Sequence, residues 1–380
     1  MKSRVVIGLS VTDGSGGPRI ALQYARALAE RGCRVTLLLP ADRRGSPSVL
    51  LDNDEISTDY IDRYPSVSPR SLYLGLRHWE AACGRAVLVA PFQADLAYFY
   101  LVGKLLGLPV VYLLQNEGDF SGGVMSRTVK RFLAKHMIRS ADGLVSVSTN
   151  LIRYVGSYCG VAPSRVSLVR NGVVIPKEAK TTDFRRRGWR IVNVGRICQQ
   201  KNQLLLVEAV ARLPSELRDL LEIHFWGEPK EAVDQTYFDT LKQSISQHDL
   251  GGTIKLCGWT ADIEGKLADA DLMVHTARWE GSPLAVLEAY AKGLPVITTP
   301  CFDPPLGFAE GIHGWFCRSF AVDELSEKLA SVVRHGKARA AEAGLEGRRY
   351  TEANLSARQA DANFCVVLKS VERAWEGHVL

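Results

Sequence analysis

Two carboxylates stand eight positions apart in Trp279-Glu280-Gly281-Ser282-Pro283-Leu284-Ala285-Val286-Leu287-Glu288-Ala289. Proline suits the first turn of a helix, where its missing N–H is not needed, and Ser282 just ahead of it can cap. This puts Glu280 in a loop facing a helix N-terminus and Glu288 more than a turn inside that helix. Such an N-terminus offers N–H groups and a partial positive charge, which suits a phosphate. One carboxylate ahead of that pole and one behind it could hold hydroxyl groups on both sides of a diphosphate, the layout of a nucleotide-sugar site. A surface loop leading into a core helix with two solvated acids would show the same pattern, so the decision rests with the rest of the chain.

The cations that such a site needs are found in Val194-Gly195-Arg196-Ile197-Cys198-Gln199-Gln200-Lys201. A strand ends in Gly-Arg, and Lys201 follows at the start of the next helix. The helix dipole disfavours cations there, so Arg196 and Lys201 make sense if an anion sits between them. Together they would neutralise a diphosphate leaving group without metal; the alternative is two solvated cations at a surface turn. Gly14-Ser15-Gly16-Gly17 follows the first strand and precedes a helix. It lacks the third glycine of a dinucleotide fingerprint, because position 19 is Arg19, and it lacks the G-K-[ST] of a P-loop. What remains is a loop that lets a ligand approach backbone N–H groups, or a plain tight turn. Gln115-Asn116-Glu117-Gly118-Asp119 lies at the C-terminal end of a strand, where open α/β sheets bind ligands, so Glu117 is a candidate for acceptor contact or for a helix cap. Asp269-Ala270-Asp271 matches the short D-x-D pattern of metal-dependent sugar transferases, but it falls at a helix-to-strand junction and reads as turn chemistry. No metal site is assigned.

The elements that must position these residues alternate. Arg4–Ser10, Arg34–Leu39, Ala86–Ala90, Pro109–Leu114, Gly143–Ser148 and Val166–Val169 read as strands buried on both faces, with helices near 18–31, 69–82, 94–107 and 124–140 between them. Residues 41–68 read as a long irregular excursion. A polar, charged stretch at 174–189 marks the linker, after which strands recur at 190–195, 221–226, 253–257, 271–276 and 295–299. The tail from about 321 is helical in pattern. A length of 380 residues implies two cores. The fold class is therefore α/β, with two doubly wound domains facing across a cleft.

Composition excludes several classes. An apolar content of 46% with 23% charged residues describes a soluble globular protein, and no apolar stretch is long enough for a transmembrane helix. The first apolar run is short and continues into Thr12-Asp13-Gly14, which favours a buried strand over a signal peptide. The eight cysteines are scattered without a C-x-x-C pair, as expected of reduced thiols in a cytosol. Residues 1–176 carry 21 Lys and Arg against 13 Asp and Glu, whereas 177–380 carry 26 against 28. The basic first half suggests an anionic partner. No nucleic-acid motif appears, and none is expected as partner. The helix at 124–140 carries Arg127, Arg131, Lys135 and Arg139 in i, i+4 steps beside Val129, Phe132, Leu133, His136 and Met137. Such a stripe can rest on anionic lipid headgroups, or be simply a solvated face.

Taken together, the residues resemble a retaining glycosyltransferase of family 4 with the GT-B fold of two Rossmann-like domains. The resemblance rests on Glu280 and Glu288 in their E-x7-E motif, on Gly195-Arg196 with Lys201, on Gly293–Thr298, on Val169–Val173 and on the glycine loop. It implies a first domain over 1–176, a nucleotide-sugar domain over 177–354, and a final helix within 355–380 that packs back on the first domain. It implies that Arg196 and Lys201 bind the donor diphosphate, with Glu280 on sugar hydroxyls and Glu288 on the ribose. Gly281, Ser282 and Leu284 would lie near the phosphate or sugar through their backbones beside Gly195, with Gly16 and Gly17 approaching from the other domain. Transfer in that family is described as front-face attack, with a phosphate oxygen taking the acceptor proton; neither a metal nor another cofactor is required. Two departures stand out: Gln115 where many relatives have histidine, and Leu306 where a glutamate is usual. The expected function is transfer of a sugar from a nucleotide-diphosphate sugar to a glycan or lipid-linked acceptor in surface polysaccharide synthesis. The expected location is the cytoplasm, peripheral on the membrane's cytoplasmic face. A nucleotide-sugar epimerase of the same fold and a non-catalytic nucleotide-sugar-binding subunit are the rivals.

Overall fold

A computed structural model describes residues 3–12, 15–43, 56–62, 64–68, 70, 72–73, 76, 86–116, 127–304 and 308–379. The chain divides into two compact units, Met1–Asn171 with Ala357–Leu380, and Gly172–Ser356.

The first unit is built from β1 (Arg4–Gly8), α1 (Gly16–Glu30), β2 (Arg34–Pro40), β3 (Ile56–Ile61), β4 (Ala86–Ala90), α2 (Gln93–Leu106), β5 (Val110–Leu114), α3 (Arg127–Ser140), β6 (Gly143–Ser146), α4 (Thr149–Cys159) and β7 (Val166–Leu168). All strands pair in parallel in the order β3-β2-β1-β4-β5-β6-β7. The central strands β1, β4, β5 and β6 are buried almost throughout, because helices cover both faces of a parallel sheet. The strand β3 corrects the expectation of an irregular excursion over 41–68. Ile56–Ile61 pairs along β2 from Val35↔Ile56 to Pro40↔Ile61, but as an edge strand it is only half buried. Its Ser57, Thr58 and Asp59 break the apolar run by which the other strands are recognised.

The second unit contains β8 (Trp189–Val194), α5 (Gln203–Ala211), α6 (Ser215–Arg218), β9 (Leu221–Trp226), α7 (Ala232–Gln247), β10 (Ile254–Gly258), α8 (Ile263–Asp269), β11 (Leu272–His275), α9 (Leu284–Lys292), β12 (Val296–Thr298), β13 (Trp315–Phe316) and α10 (Val322–Asn354). Its sheet runs β10-β9-β8-β11-β12-β13, again parallel. The long α10 is broken at Gly336, whose φ of 86° lies in the region that glycine tolerates without strain. The segment leading into this unit is bound to it: Val173 N–H donates to Leu355 O at 3.0 Å and Lys180 N–H to Lys292 O at 2.7 Å.

The last helix, α11 (Ala357–Val379), lies in the first unit and packs on α1. The Tyr24 and Phe364 rings stack at 4.1 Å, and Gln23 Nε2 donates to Asp361 Oδ1 at 2.8 Å.

Candidate active site

The site grows from the C-terminal ends of β8 and β11. Gly195 leaves β8 with a φ of 152°, and its N–H donates to Trp226 O at 3.0 Å. Gly227, φ 147°, passes so close that a Cβ there would strike the carbonyl oxygen of Gly195. The chain then turns on Cys198, whose carbonyl accepts the N–H groups of both Lys201 and Asn202 at 3.1 Å, before α5 begins.

The loop after β11 is bound to this turn. Thr276 Oγ1 donates to Lys201 O at 2.9 Å, and Arg278 N–H donates to Gln200 O at 2.8 Å. Gln200 Nε2 donates to Trp279 O at 3.0 Å. From β8, buried Asn193 reaches across to Val274 O at 2.7 Å. The other side is held from the end of β12, where Thr299 Oγ1 donates to Ala277 O at 2.7 Å and Glu280 N–H donates to Cys301 O at 2.7 Å. A backbone fixed at this many points leaves the Glu280 side chain little freedom.

That fixing brings Lys201 and Glu280 into an ion pair, with Glu280 nearly buried. His275 Nε2 stands 3.4 Å from Glu280 Oε1, an ion-pair separation at which Nε2 makes no hydrogen bond. Burial pushes the Glu280 carboxyl up, but Lys201 and then His275 outweigh it and hold its pKa at about 2. Burial pulls the His275 imidazole down, but Cys301 and Glu280 overcome that and carry it to about 9. Neither His275 nor Cys301 was selected from the sequence. The available signal was a titratable residue closing an otherwise apolar strand five positions before Glu280.

The other expected residues are distributed as follows. Arg196 leaves the same loop as Lys201 but points toward α7, 3.6 Å from Asp234 and 3.7 Å from Glu231. Those two acids also form the capping box of α7. Gly281 is buried, and Ser282, Leu284 and Glu288 are half-buried. Ser282 is not the N-cap: Pro283 itself has extended backbone, with φ −72° and ψ 105°, and takes the cap position, so α9 begins at Leu284. Glu288 lies in the second turn of α9.

In the first unit Gly16 opens α1 behind Ser15. At Gly17 a Cβ would lie 2.7 Å from the Phe92 ring and 3.3 Å from Gln115 Oε1. Gln115 Nε2 is buried without a hydrogen-bond partner. Glu117, Leu306 and residues 124–126 of the basic helix lie outside the described residues. Among the described residues no group of three His, Cys, Asp or Glu side chains could hold a metal ion. Asp271, the second acid of the D-x-D pattern, is engaged by Lys337 at 3.0 Å, Arg186 at 3.5 Å and the Arg190 N–H at 2.9 Å.

Comparison with known proteins bears on the family and the fold. The sequence model of glycosyl transferases group 1 matches residues 174–344, and that of glycosyltransferase family 4 matches residues 14–176. The UDP-Gal:alpha-D-GlcNAc-diphosphoundecaprenol alpha-1,3-galactosyltransferase of Escherichia coli is 30% identical over 152 residues, a match that takes in 37% of this chain and only 38% of that enzyme's length. The amylovoran biosynthesis glycosyltransferase AmsK of Erwinia amylovora is 25% identical across 73% of this chain and 72% of its own. Among solved structures, Anabaena HepE in complex with UDP-glucose superposes with a TM-score of 0.81 at 17% identity, covering 97% of this chain and 99% of HepE, which establishes the shared fold. The chain belongs to the family 4 glycosyltransferases of GT-B fold.

Proposed function

We propose that this protein is a retaining glycosyltransferase that moves a sugar from a nucleotide-diphosphate sugar to a glycan or lipid-linked acceptor in surface polysaccharide synthesis. The observation that carries this reading is the Lys201–Glu280 pair, held beside His275 between two strand ends and ahead of the α9 N-terminus. A donor diphosphate placed there meets the Lys201 ammonium and the first N–H groups of α9, which have no intrahelical acceptors. Glu280, ionised, can only accept hydrogen bonds, and so suits sugar hydroxyl groups. Glu288, a turn further on, is assigned to the ribose.

As the bond from the anomeric carbon to the phosphate oxygen breaks, negative charge grows on the diphosphate. Lys201, and Arg196 after it swings from Asp234 and Glu231, stabilise that charge. The acceptor hydroxyl attacks from the face the leaving group vacates and gives its proton to a phosphate oxygen, so the anomeric configuration is kept. The two side-chain cations supply the charge neutralisation that a metal supplies in other transferases. The UDP-glucose bound to Anabaena HepE and the UDP-Gal donor of the Escherichia coli relative make uridine diphosphate sugars the first donors to try.

The acceptor side is assigned to a membrane surface at the cytoplasmic face. On α3 the side chains of Phe132 and Leu133 are 70% and 43% exposed beside exposed Arg131 and half-buried Lys135. Among the described residues no helix is long and apolar enough to cross a membrane. Exposed apolar and basic groups on one helix suit peripheral contact with anionic lipid. Binding to phosphatidylglycerol vesicles, read by sedimentation, should weaken about 30-fold when Arg131 and Lys135 become Ser, since each basic residue contributes about 1 kcal/mol near such a surface. Equal sedimentation would remove the membrane assignment.

The reading as a whole is tested by incubating the protein with UDP-glucose, UDP-galactose, UDP-N-acetylglucosamine and GDP-mannose, with and without bacterial lipid extract and with and without EDTA. The expected result is acceptor-dependent release of nucleoside diphosphate and an axial anomeric linkage from an axial donor. An inverted linkage would refute the retaining mechanism, and loss of turnover in EDTA would refute metal independence.

A further inference from the structure

Lys201 is asked to serve two anions. In the protein as described its ammonium is spent on Glu280, whereas the proposed reaction requires it on the donor's diphosphate. Any movement of Lys201 toward phosphate leaves Glu280 buried with its main counter-charge gone. An uncompensated buried carboxylate is strongly unfavourable and escapes by taking up a proton. A protonated Glu280 would no longer be the acceptor-only group that sugar hydroxyls need.

His275 stands where this conflict can be resolved. Its Nε2 is buried, has no hydrogen-bond partner, and lies 3.4 Å from the same Glu280 oxygen that Lys201 holds. The backbone on both sides is fixed: Thr299 N–H donates to His275 O at 3.0 Å, and Glu280 N–H donates to Cys301 O at 2.7 Å. A small rotation of the Glu280 carboxylate, freed from Lys201, therefore makes a hydrogen bond to Nε2 without moving the loop. We infer that His275 is a positioning residue that takes over Glu280 when the donor diphosphate draws Lys201 away, keeping the carboxylate ionised and aimed at the sugar.

The groups facing His275 support this. Glu280 and the Cys301 thiol face the imidazole, with Lys201 behind Glu280. Asn193 from β8 and Thr298 from β12 are neutral. Burial works against the imidazolium, yet Cys301 and Glu280 raise His275 to about 9. The ring is therefore a cation with an Nε2–H to donate at neutral pH.

The inference rests on the transferase reading, and the test separates the two. Wild type, His275→Gln and His275→Leu are compared by calorimetry with the nucleoside diphosphate and the nucleotide sugar that support turnover, and by kcat between pH 5.5 and 8.5. A charge-assisted hydrogen bond is worth about 1.5–3 kcal/mol, and either ligand's diphosphate draws Lys201 away, so His275→Leu should bind both the nucleoside diphosphate and the nucleotide sugar about 10- to 100-fold more weakly. The wild-type rate should be flat across this range, because His275 stays protonated and Glu280 ionised. His275→Leu should gain an acidic limb in which kcat falls with pH, as the isolated Glu280 protonates. His275→Gln, which keeps an N–H donor without the charge, should recover part of the sugar affinity and retain the limb. Should His275→Leu fail to fold, His275→Gln decides by its limb alone. A flat profile and unchanged affinity for both ligands in the variants would overturn the role of His275 and leave the transferase reading intact. Failure of wild type to bind any nucleotide sugar would overturn both.

Discussion

Burial of Glu280 between Lys201 and His275 couples stability to pH at the level of single side chains. The folded pKa of Glu280, about 2, lies below its ordinary 4.5, so the stabilisation it brings is present above about pH 4.5 and is lost as pH falls toward 2. The folded pKa of His275, about 9, lies above its ordinary 6.5, so its contribution is complete below about pH 6.5 and is lost as pH rises through 9. The urea midpoint of the second unit, which holds both groups, should therefore be highest near pH 4.5–6.5 and fall toward pH 9, and this alkaline fall should vanish in His275→Gln. Asp95 is a second case. It is fully buried at the start of α2, accepts hydrogen bonds from Tyr64 Oη and Ser10 N, and has its second oxygen unpartnered. Burial pushes its carboxyl up to about 6, so folding is penalised as pH rises from about 3.8 through 6. Asp95→Asn should gain about 3 kcal/mol relative to wild type between pH 3.5 and pH 8 in denaturation experiments; a constant difference across that range would contradict a buried, shifted Asp95. At this scale the meeting of Lys201 with Glu280 was legible, since both stand in loops that follow strands of one parallel sheet, whereas the turn of Arg196 toward Asp234 and Glu231 was not. His275 and Cys301 were not, because only the sheet register, His275↔Thr298, brings the ends of β11 and β12 side by side.

The secondary-structure elements explain why Lys201 points where it does. The turn after β8 is set by two glycines in contact, Gly195 and Gly227, both with backbone angles that other residues rarely adopt. Gly227→Ala drives a Cβ into the Gly195 carbonyl and must push the β8 end, and with it Arg196 and Lys201, out of place. The expected cost is at least about 3 kcal/mol in the second unit, read as an early urea transition of that unit; a shift under about 1 kcal/mol would show that the turn yields. The buried strands were readable as uninterrupted apolar runs, and α9 as a helix following proline. The edge strand β3 was not, since half of its surface meets solvent and its polar residues mimic a loop. The start of α9 lies one residue later than the proline suggested, because Pro283 itself is extended and serves as the cap in place of Ser282.

At the level of the whole chain, two parallel sheets of similar plan carry separate cores, so unfolding need not be a single transition. The last helix ties the chain's end into the first unit, with Phe364 fully buried against Tyr24. Phe364→Ala should cost about 3–5 kcal/mol and lower the transition of the first unit while leaving that of the second in place; a shift confined to the second unit would contradict the packing of α11 on α1. The pattern of α11 alone announced an amphipathic helix without naming its partner, which is a contact between residues more than three hundred positions apart, as at Ser3 Oγ and Glu372. Composition gave the basic bias of the first half, while the exposure of Phe132 and Leu133 on α3 needed the fold.

The claim on which the rest depends is that the Lys201–Glu280 site transfers sugar. It is tested most directly by acceptor-dependent nucleoside diphosphate release in wild type and in Lys201→Ala, each checked for intact circular dichroism. Loss of one preorganised charge on the leaving group predicts a fall of about 100- to 1,000-fold in kcat for the folded variant. A folded Lys201→Ala that releases nucleotide at the wild-type rate would contradict the account.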